Sequence, residues 1–180
     1  MNKLLIVVDM QSDFVTGALG SEAAQAIVPA VDAKLRAAYF AGDKVVFTRD
    51  THDENYLNTQ EGKNLPVPHC VKGTSGWEII DALKPHAEVI GDVIDKPTFG
   101  SLELAKQIDV SEYDEIELCG LCTDICVVSN ALILKAQLPE TKITVDARCC
   151  AGVTAESHKA ALLTMKMCQV NVVGEEDNNV

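Results

Sequence analysis

This 180-residue sequence has few basic residues and no long apolar run, which argues against nucleic acid and membrane as partners. Aromatic residues make up only 4% of the chain, and 15 basic residues stand against 27 acidic ones, for a formal net charge of −12 at pH 7. Nucleic acid is therefore not an expected partner, because its phosphates repel an acidic surface. No run approaches the roughly 18 consecutive apolar residues of a membrane-spanning helix, so we expect no membrane insertion.

The amino-terminal stretch also lacks the parts of a secretory signal peptide. MNKLLIVVDMQSDF has a short apolar run that ends in an acidic residue, without a small-residue cleavage site. The seven cysteines are an odd number, and a chain of this length can bury roughly 70% of its unfolded surface without disulfide bonds. We therefore expect a cytoplasmic protein with a single domain over residues 1–180.

Short apolar, β-branched runs alternate with helical patterns along the chain. The predicted strands lie at 3–9, 44–50, 87–95, 115–120, 142–147 and 169–174. The predicted helices lie at 27–41, 75–83, 101–107, 124–137 and 155–168. Several runs are nearly continuous in Val, Ile and Leu, which is typical of parallel strands covered on both faces. The alternation predicts a three-layer α/β/α fold of the Rossmann-like type, with a six-stranded, mostly parallel sheet.

Reactive residue types follow the ends of four successive predicted strands. Asp9 closes the first strand and Asp50 closes the second. Lys96 follows the third, and Cys126 lies in the first turn of the helix after the fourth. Because ligands of open α/β sheets bind beyond the carboxyl ends of the strands, we expect these side chains to share one site.

The stretch CGLCTDICVVSNAL contains Cys119, Cys122 and Cys126, and three interpretations are open. A structural metal site would need a fourth ligand that the spacing does not supply. A redox C-x-x-C pair normally opens a helix, whereas Cys119 lies inside an apolar strand run, where burial as a small hydrophobic residue is the better interpretation. The same interpretation applies to the remaining cysteines, Cys70, Cys149, Cys150 and Cys168.

The third interpretation makes Cys126 a nucleophile. The helix dipole at a helix N-terminus is expected to lower the pKa of its thiol, and the free N–H groups of that turn can receive an oxyanion. Asp9 can carry the proton of the thiol, and Lys96 can stabilise negative charge. The alternatives are a turn cap for Asp9 and a solvated charge for Lys96.

A long polar loop, residues 48–74, carries two of the four histidines. Loops of this length in compact domains are usually functional. Asp50 and His52 are two residues apart and can point to the same side, His69 returns between prolines, and Glu61 is the most suggestive carboxylate between them. Two histidines with two carboxylates suit a divalent metal, with loop caps and solvated histidines as the alternative.

Three motifs in order, IVVDMQSDF, DKPTFGS and GLCTDICVVSNAL, resemble the isochorismatase-like cysteine hydrolase superfamily, and within it the nicotinamidases. The likeness covers nearly the whole chain. It implies a catalytic triad of Asp9, Lys96 and Cys126 that hydrolyses a small amide through a thioester. It also implies a non-proline cis peptide between Leu121 and Cys122, which directs the backbone amides of Cys122 and Cys126 toward an oxyanion.

The segments DTH and VPHC resemble the metal-binding segments of nicotinamidases. The resemblance implies a divalent metal on Asp50, His52 and His69, with zinc expected and manganese or iron as alternatives. Many members carry another histidine between these two, and some use glutamate, so Glu61 is the expected fourth ligand. Other candidates for that position are Asp53, Glu54 and Asn58. In the family this metal binds the pyridine nitrogen of the substrate.

The expected ring pocket departs from the nicotinamidase pattern. Many members have a tryptophan three residues before the later metal histidine, whereas this sequence has Pro66 there and its single tryptophan is Trp77. The candidates for the pocket wall are Phe14, Tyr56, Leu65 and Phe99. Core packing is the alternative for Phe14.

The resemblance therefore implies a homo-oligomeric amidohydrolase, with nicotinamide as the expected substrate. Another small amide, a carbamoyl compound or a vinyl ether is an alternative substrate, although the metal-ligating residue types argue against the metal-free isochorismatase branch. A flavodoxin-like binding or redox module is an alternative of a different class. It would need a glycine-rich phosphate loop, and DMQSDFVTGALGS contains none that is convincing.

Overall fold

The computed structural model describes residues 2–108 and 112–175, which form one sheet flanked by helices. The six strands are β1 Lys3–Val8, β2 Lys44–Asp50, β3 Gly91–Lys96, β4 Glu115–Leu121, β5 Lys142–Ala151 and β6 Asn171–Val173. Their order is β3-β2-β1-β4-β5-β6, and all neighbouring pairs are parallel. The predicted α/β fold is confirmed, with a sheet that is parallel throughout.

Within residues 2–108 and 112–175, eight α-helices connect and cover these strands. They are α1 Ser12–Val15, α2 Glu22–Ala26, α3 Val28–Ala41, α4 Gln60–Asn64, α5 Lys84–Ile90, α6 Leu102–Gln107, α7 Val128–Gln137 and α8 Ala155–Met167. A 3-10 turn at Tyr56–Asn58 precedes α4, and a π-helical turn at Thr123–Val127 precedes α7. Pro29 lies in the first turn of α3, and Gly42 ends that helix with a φ of 73°. None of the helices within the described ranges is long and apolar enough to cross a membrane.

The strand order reverses at β1, and this reversal puts the core on both faces of the sheet. Right-handed crossovers that run in opposite directions from β1 place their helices on opposite faces. The central strands are accordingly buried on both sides: every residue of β4 is buried, as are residues 4–8 of β1 and the residue after it. The near-continuous apolar runs were therefore correctly interpreted as interior parallel strands.

The structure corrects the boundary between one predicted helix and the strand after it. Residues 75–83 form turns rather than a helix, and α5 begins at Lys84 with Pro85 in its first turn. The run AEVI, predicted as the start of a strand, belongs to α5, and β3 begins only at Gly91. Proline fits the first turn of a helix, so this apolar run continues a helix that Pro85 had started.

Residues 75–83 have a different role, which is to hold α1 against the sheet. The backbone N–H of Ser12 donates to the carbonyl of Glu78, and the N–H of Ile80 donates to the carbonyl of Met10. These long-range bonds take the place of the helical bonds that the sequence pattern had suggested. The consequence for function is that α1, which begins three residues after Asp9, is held in place by this segment.

Candidate active site

Four neighbouring strands bring the predicted reactive residues together. Because β3, β2, β1 and β4 are adjacent in the sheet, Lys96, Asp50, Asp9 and Cys126 meet at its carboxyl edge. The ammonium Nζ of Lys96 lies 2.6 Å from Asp9 Oδ2, 3.4 Å from Asp50 Oδ1 and 3.5 Å from Cys126 Sγ. It also donates to the carbonyl of Thr98 at 3.1 Å. Asp9 and Lys96 are wholly buried, and Cys126 is only 4% exposed.

Asp9 is held by the strand beside it and by an unusual backbone conformation. Its φ is 48°, in the left-handed region, so its side chain leaves the direction of β1. The Thr48 hydroxyl donates to Asp9 Oδ1 at 2.7 Å, and the Asp9 N–H donates to the carbonyl of Thr48 at 3.2 Å. On the other side Gly120 has a φ of 114°, and a side chain there would lie 2.1 Å from the Val8 carbonyl. The position of Asp9 is therefore set by β2 and β4 as well as by β1.

Burial and charge shift the pKa values of all three side chains of the predicted triad, Asp9, Lys96 and Cys126. Burial raises the pKa of Asp9, although the neighbouring Lys96 opposes this shift. Burial disfavours the Lys96 ammonium, but its neighbours, among them the carboxylates of Asp9 and Asp50, outweigh burial and raise the pKa of Lys96. Burial and then the charge of Asp9 raise the pKa of the Cys126 thiol well above its usual value. The expectation of a lowered pKa at a helix N-terminus was wrong, because burial and the charge of Asp9 raise the pKa of this thiol.

Cys126 lies in the π-helical turn, whose position is fixed from α7. The Asn130 side chain donates to the carbonyl of Cys126 at 2.8 Å and to the carbonyl of Phe99 at 3.1 Å, and its Oδ1 accepts from the N–H of Ser101 at 2.9 Å. The peptide bond between Leu121 and Cys122 is cis, as the resemblance implied. The buried side-chain amide of Asn130 thus connects the backbone of Cys126 to residues 99–101, which follow Lys96 in the sequence.

Four predicted metal ligands converge next to the triad. One ligand atom from each of Asp50, His52, Glu61 and His69 lies within 4.8 Å of every other. His52 Nε2 is 3.0 Å from Asp50 Oδ2 and 3.6 Å from Glu61 Oε1. His69 Nε2 is 3.5 Å from Asp50 Oδ2 and 3.8 Å from Glu61 Oε1. Two imidazole nitrogens and two carboxylates this close together form a donor set that suits zinc, manganese or iron.

Surrounding groups orient these ligands as a metal site requires. His69 Nδ1 lies 2.8 Å from the carbonyl of Val67, and a proton held there leaves Nε2 free to bind a metal. The buried Gln11 side chain donates to the carbonyl of Asp50 at 2.9 Å and accepts from its N–H at 2.7 Å. Tyr56 packs behind both histidines, with ring centroids 4.6 Å from His52 and 5.0 Å from His69.

Burial and neighbouring groups shift the pKa values of Asp50, Glu61 and His69, which belong to the group of four predicted metal ligands (the metal-ligand group). Burial opposes the charge of Asp50, but hydrogen bonds from His52 and His69 hold its pKa below its usual range. Burial and the charge of Asp50 raise the pKa of Glu61. Burial disfavours the charged form of His69, whereas its bond with Asp50 outweighs burial and raises its pKa. A divalent cation would relieve the repulsion between the two carboxylates.

A small cavity joins the predicted triad to the four predicted metal ligands. Its apolar wall comprises Phe14, Leu19, Leu65, Phe99 and Ile125. Its polar end comprises Asp50, Glu61 and His69, and the side chains of Cys122 and Cys126 complete it. Three of the four predicted wall residues line the cavity. Tyr56 is outside the lining and buried, and its hydroxyl donates to the carbonyl of Leu65.

The other cysteines do not form a metal cluster or a disulfide bond. All seven are free thiols. Within residues 2–108 and 112–175, the one group of three or more metal-ligating side chains is the Asp50 group, which contains no cysteine. Cys70, Cys119, Cys149 and Cys150 are buried, as predicted. Cys168 is exposed after α8, so its predicted burial was wrong.

Comparison with known proteins supplies the family. The Isochorismatase domain matches residues 3–177. The chain belongs to the isochorismatase family. This isochorismatase-family chain is 29% identical to the nicotinamidase/pyrazinamidase of Mycobacterium tuberculosis over 95% of this chain and 98% of that protein. The crystal structure of pyrazinamidase/nicotinamidase from Streptococcus mutans is 30% identical, with a TM-score of 0.86 over 96% of this chain and 100% of that chain.

A solved relative also contains a metal. The pyrazinamidase of Pyrococcus horikoshii, determined in complex with zinc, is 28% identical, with a TM-score of 0.81 over 97% of this chain and 100% of that chain. Family membership and these relatives identify the protein as an isochorismatase-family hydrolase that acts on amides. The strand order, with two strands on one side of β1 and three on the other, also differs from the flavodoxin-like order, which argues against that alternative.

Proposed function

We propose that this protein is a nicotinamidase, which converts nicotinamide and water to nicotinate and ammonia through a thioester on Cys126. The observation that carries the proposal is the buried contact of Lys96 with both Asp9 and Cys126, at 2.6 Å and 3.5 Å, beside a cavity with apolar walls. A nucleophile, a proton carrier and a cation in contact are the components that nucleophilic amide hydrolysis needs.

Acylation begins with proton transfer from the Cys126 thiol to Asp9. The raised pKa values of both groups mean that the resting thiol keeps its proton and that Asp9 is a stronger base than an exposed carboxylate. The sulfur then attacks the amide carbonyl, and the backbone N–H groups of Cys122 and Cys126 stabilise the oxyanion. The intermediate collapses with loss of ammonia, which takes the proton from Asp9, and leaves an acyl thioester.

Deacylation repeats these steps with water as the nucleophile. Asp9 accepts a proton from the attacking water and returns it to the Cys126 sulfur as the thioester breaks. Lys96 stays charged throughout, because its pKa is raised by the negative groups around it. Its role is to stabilise the negative charge that moves between Asp9 and the sulfur.

A divalent metal fits the group formed by Asp50, His52, Glu61 and His69. When bound, it would act as a Lewis acid that holds the ring nitrogen of the substrate. Support for zinc comes from the donor types and from the zinc complex of the Pyrococcus horikoshii relative. The apolar side chains of Phe14, Leu65 and Phe99 would then exclude water from the faces and edge of the ring.

Ammonia release tests this proposal. Purified protein is incubated with nicotinamide and with a panel of other small amides and carbamoyl compounds, with and without a chelator. We expect release from nicotinamide that the chelator reduces and zinc restores. Turnover of another amide without turnover of nicotinamide would contradict nicotinamide as the substrate but would not contradict the thioester mechanism. Sedimentation of the same sample tests the homo-oligomeric state that the family resemblance implies.

A further inference from the structure

A hydrogen bond between Thr123 and His158 joins the π-helical turn to α8. The Thr123 hydroxyl lies 2.8 Å from His158 Nδ1, and Thr123 is completely buried. Thr123 directly follows Cys122, whose amide is proposed to bind the oxyanion, and it begins the turn that contains Cys126. The bond therefore joins a helix that the proposed mechanism does not use to the turn on which that mechanism depends.

His158 is itself held firmly in the first turn of α8. The Thr154 side chain accepts from the N–H of Ser157, and the Ser157 hydroxyl bonds back to Thr154, which forms a capping box. The His158 N–H donates to the carbonyl of Thr154 at 3.0 Å. Gly152 allows the preceding loop to approach, since a side chain there would lie 2.8 Å from His158 Cβ. His158 is thus a fixed support for Thr123.

The π-helical turn depends on such external support. The Cys122 carbonyl accepts from the N–H groups of both Ile125 and Val127, at 3.1 Å and 3.0 Å. One oxygen thus accepts a hydrogen bond from the residue three positions later and another from the residue five positions later. Single π-helical turns are frequent at functional sites, where they replace the regular α-helical pattern. Asp124 provides a second anchor, since its carboxylate accepts from the N–H of Val153 at 3.1 Å and 3.2 Å.

The protonation of His158 matches this role. Burial lowers its pKa, while the charges of Asp124 and Glu175 oppose that shift and Lys159 adds to it. A neutral imidazole with its proton on Nε2 has a lone pair on Nδ1, which can accept the Thr123 hydroxyl proton. In that tautomer the 2.8 Å contact is a hydrogen bond that the Thr123 hydroxyl donates to His158 Nδ1.

We propose that His158 is a positioning residue that fixes the oxyanion-binding turn through Thr123. This inference rests on the proposed thioester mechanism, because that mechanism forms the oxyanion that the turn would stabilise. A small displacement of the turn moves the Cys122 and Cys126 amides away from the oxyanion. The wall residues outside the turn, Phe14, Leu19, Leu65 and Phe99, keep their places, so binding of the uncharged substrate is largely retained. The loss should therefore appear in kcat rather than in KM.

Three substitutions separate positioning from general support of the fold. His158→Leu keeps the bulk of the side chain and removes the acceptor. His158→Asn can place Oδ1 at the same number of bonds from Cβ as Nδ1 of histidine, whereas His158→Gln places its acceptor one bond farther. We expect the Leu and Gln variants to lose about 10-fold or more in kcat with KM within about 2-fold, since misplaced oxyanion donors cost rate. The Asn variant should recover to within about 3-fold of wild type.

The aldehyde analogue of nicotinamide provides a second measurement. It can add to the cysteine thiol to give a thiohemiacetal whose oxygen occupies the oxyanion position, so its affinity reports on the turn. We expect its inhibition constant to rise in parallel with the loss in kcat for the Leu and Gln variants. Thermal unfolding of each variant establishes that it is folded.

The outcomes distinguish this inference from the proposed function. Absence of amide hydrolysis by the wild-type protein would overturn the proposed function and the positioning role with it. An active wild type whose Leu and Gln variants keep full kcat would overturn only the role of His158. So would an Asn variant as impaired as the Gln variant, because the position of the acceptor would then be irrelevant. If the Leu variant does not fold, the comparison of Asn with Gln decides.

Discussion

The ammonium of Lys96 lies 2.6 Å from the carboxylate of Asp9, and neither side chain is exposed to solvent. Two charges buried together depend on each other, because neither can be solvated when its partner is removed. The second carboxylate, Asp50 at 3.4 Å, makes Lys96 the cation shared by the triad and the metal-ligand group. Loss of this one charge is therefore expected to affect the whole site.

Lys96→Met should reduce both stability and activity. The variant leaves two buried carboxylates without their cation, and breaking a buried pair in this way costs about 3–5 kcal/mol. Urea unfolding measures this loss. Lys44→Met is the matched control, because Lys44 pairs with Asp92 at an exposed position and should cost less than about 1 kcal/mol. Equal losses of unfolding free energy in the two variants would contradict a larger stabilising role for the buried pair of Lys96 and Asp9.

Cys126→Ala should abolish turnover and retain the fold. Removal of a nucleophile typically costs several orders of magnitude in rate, so ammonia release should fall by more than about 1,000-fold. Mass spectrometry of the acid-quenched wild-type protein should find the nicotinoyl group on Cys126. The matched control is Cys119→Ala, which removes a buried thiol from β4 and should keep kcat within about 2-fold. A well-folded Cys119→Ala variant as inactive as Cys126→Ala would contradict the assignment.

His52→Ala should weaken metal binding. One of the two imidazole donors is lost, and zinc affinity should fall by at least about 100-fold, as isothermal titration of chelator-stripped protein would measure. The control is His86→Ala, whose imidazole lies 2.7 Å from Asp32 between α5 and α3, away from the site. Zinc affinity that is the same in both variants would exclude His52 as a ligand.

Asp146 should make stability depend on pH in the acid range. Burial opposes its charge, but hydrogen bonds from Arg148 and Lys34 lower the pKa of Asp146 to about 2 from its ordinary 3.8. A folded-state pKa below the unfolded one stabilises the fold above about pH 4, and this contribution disappears as the pH falls through about 2. The unfolding free energies of wild type and Asp146→Asn should therefore differ at pH 6, by on the order of 1–2 kcal/mol, and converge near pH 2.

An exposed carboxylate is the control for that experiment. Asp92→Asn replaces a side chain that is 68% exposed, and the difference from wild type should stay below about 0.5 kcal/mol at every pH. A difference between wild type and Asp146→Asn that does not change with pH would contradict the role of the Asp146 charge.

The shared position of four residues at one edge of the sheet could be predicted because the ends of interior strands can be recognised in a sequence. These residues are Asp9, Asp50, Lys96 and Cys126. Interior parallel strands give near-continuous apolar runs, and a polar residue that ends such a run stands at a known edge of the sheet. The predicted strand began too early, at residue 87, because the apolar run after Pro85 suits either a helix or a strand, and periodicity alone cannot separate them. The predicted helix at 75–83 was wrong because the backbone groups of Gly76, Glu78 and Ile80 bond to residues 10–13 instead of to one another.

The supporting residues could not be found in the same way. Thr48, Gln11 and Asn130 act across 39, 39 and 29 residues of chain, so their partners depend on the register of elements far apart in sequence. The one available signal was a polar residue inside an apolar run, as at Thr48 and Asn130. Tyr56 was misplaced for a related reason. The loop folds into a 3-10 turn and α4, and this turns the ring inward.

The place of β3 at the end of the strand order has a consequence for how the protein loses function. Lys96 is the last residue of that strand, which pairs along its length with β2, whereas Asp9 and Cys126 belong to the buried centre of the sheet. Peripheral strands open more readily than central ones. Detachment of β3 alone would remove the shared cation while the remaining strands stay paired. Enzymatic activity is therefore a more sensitive indicator of local opening than the secondary structure content of the whole molecule.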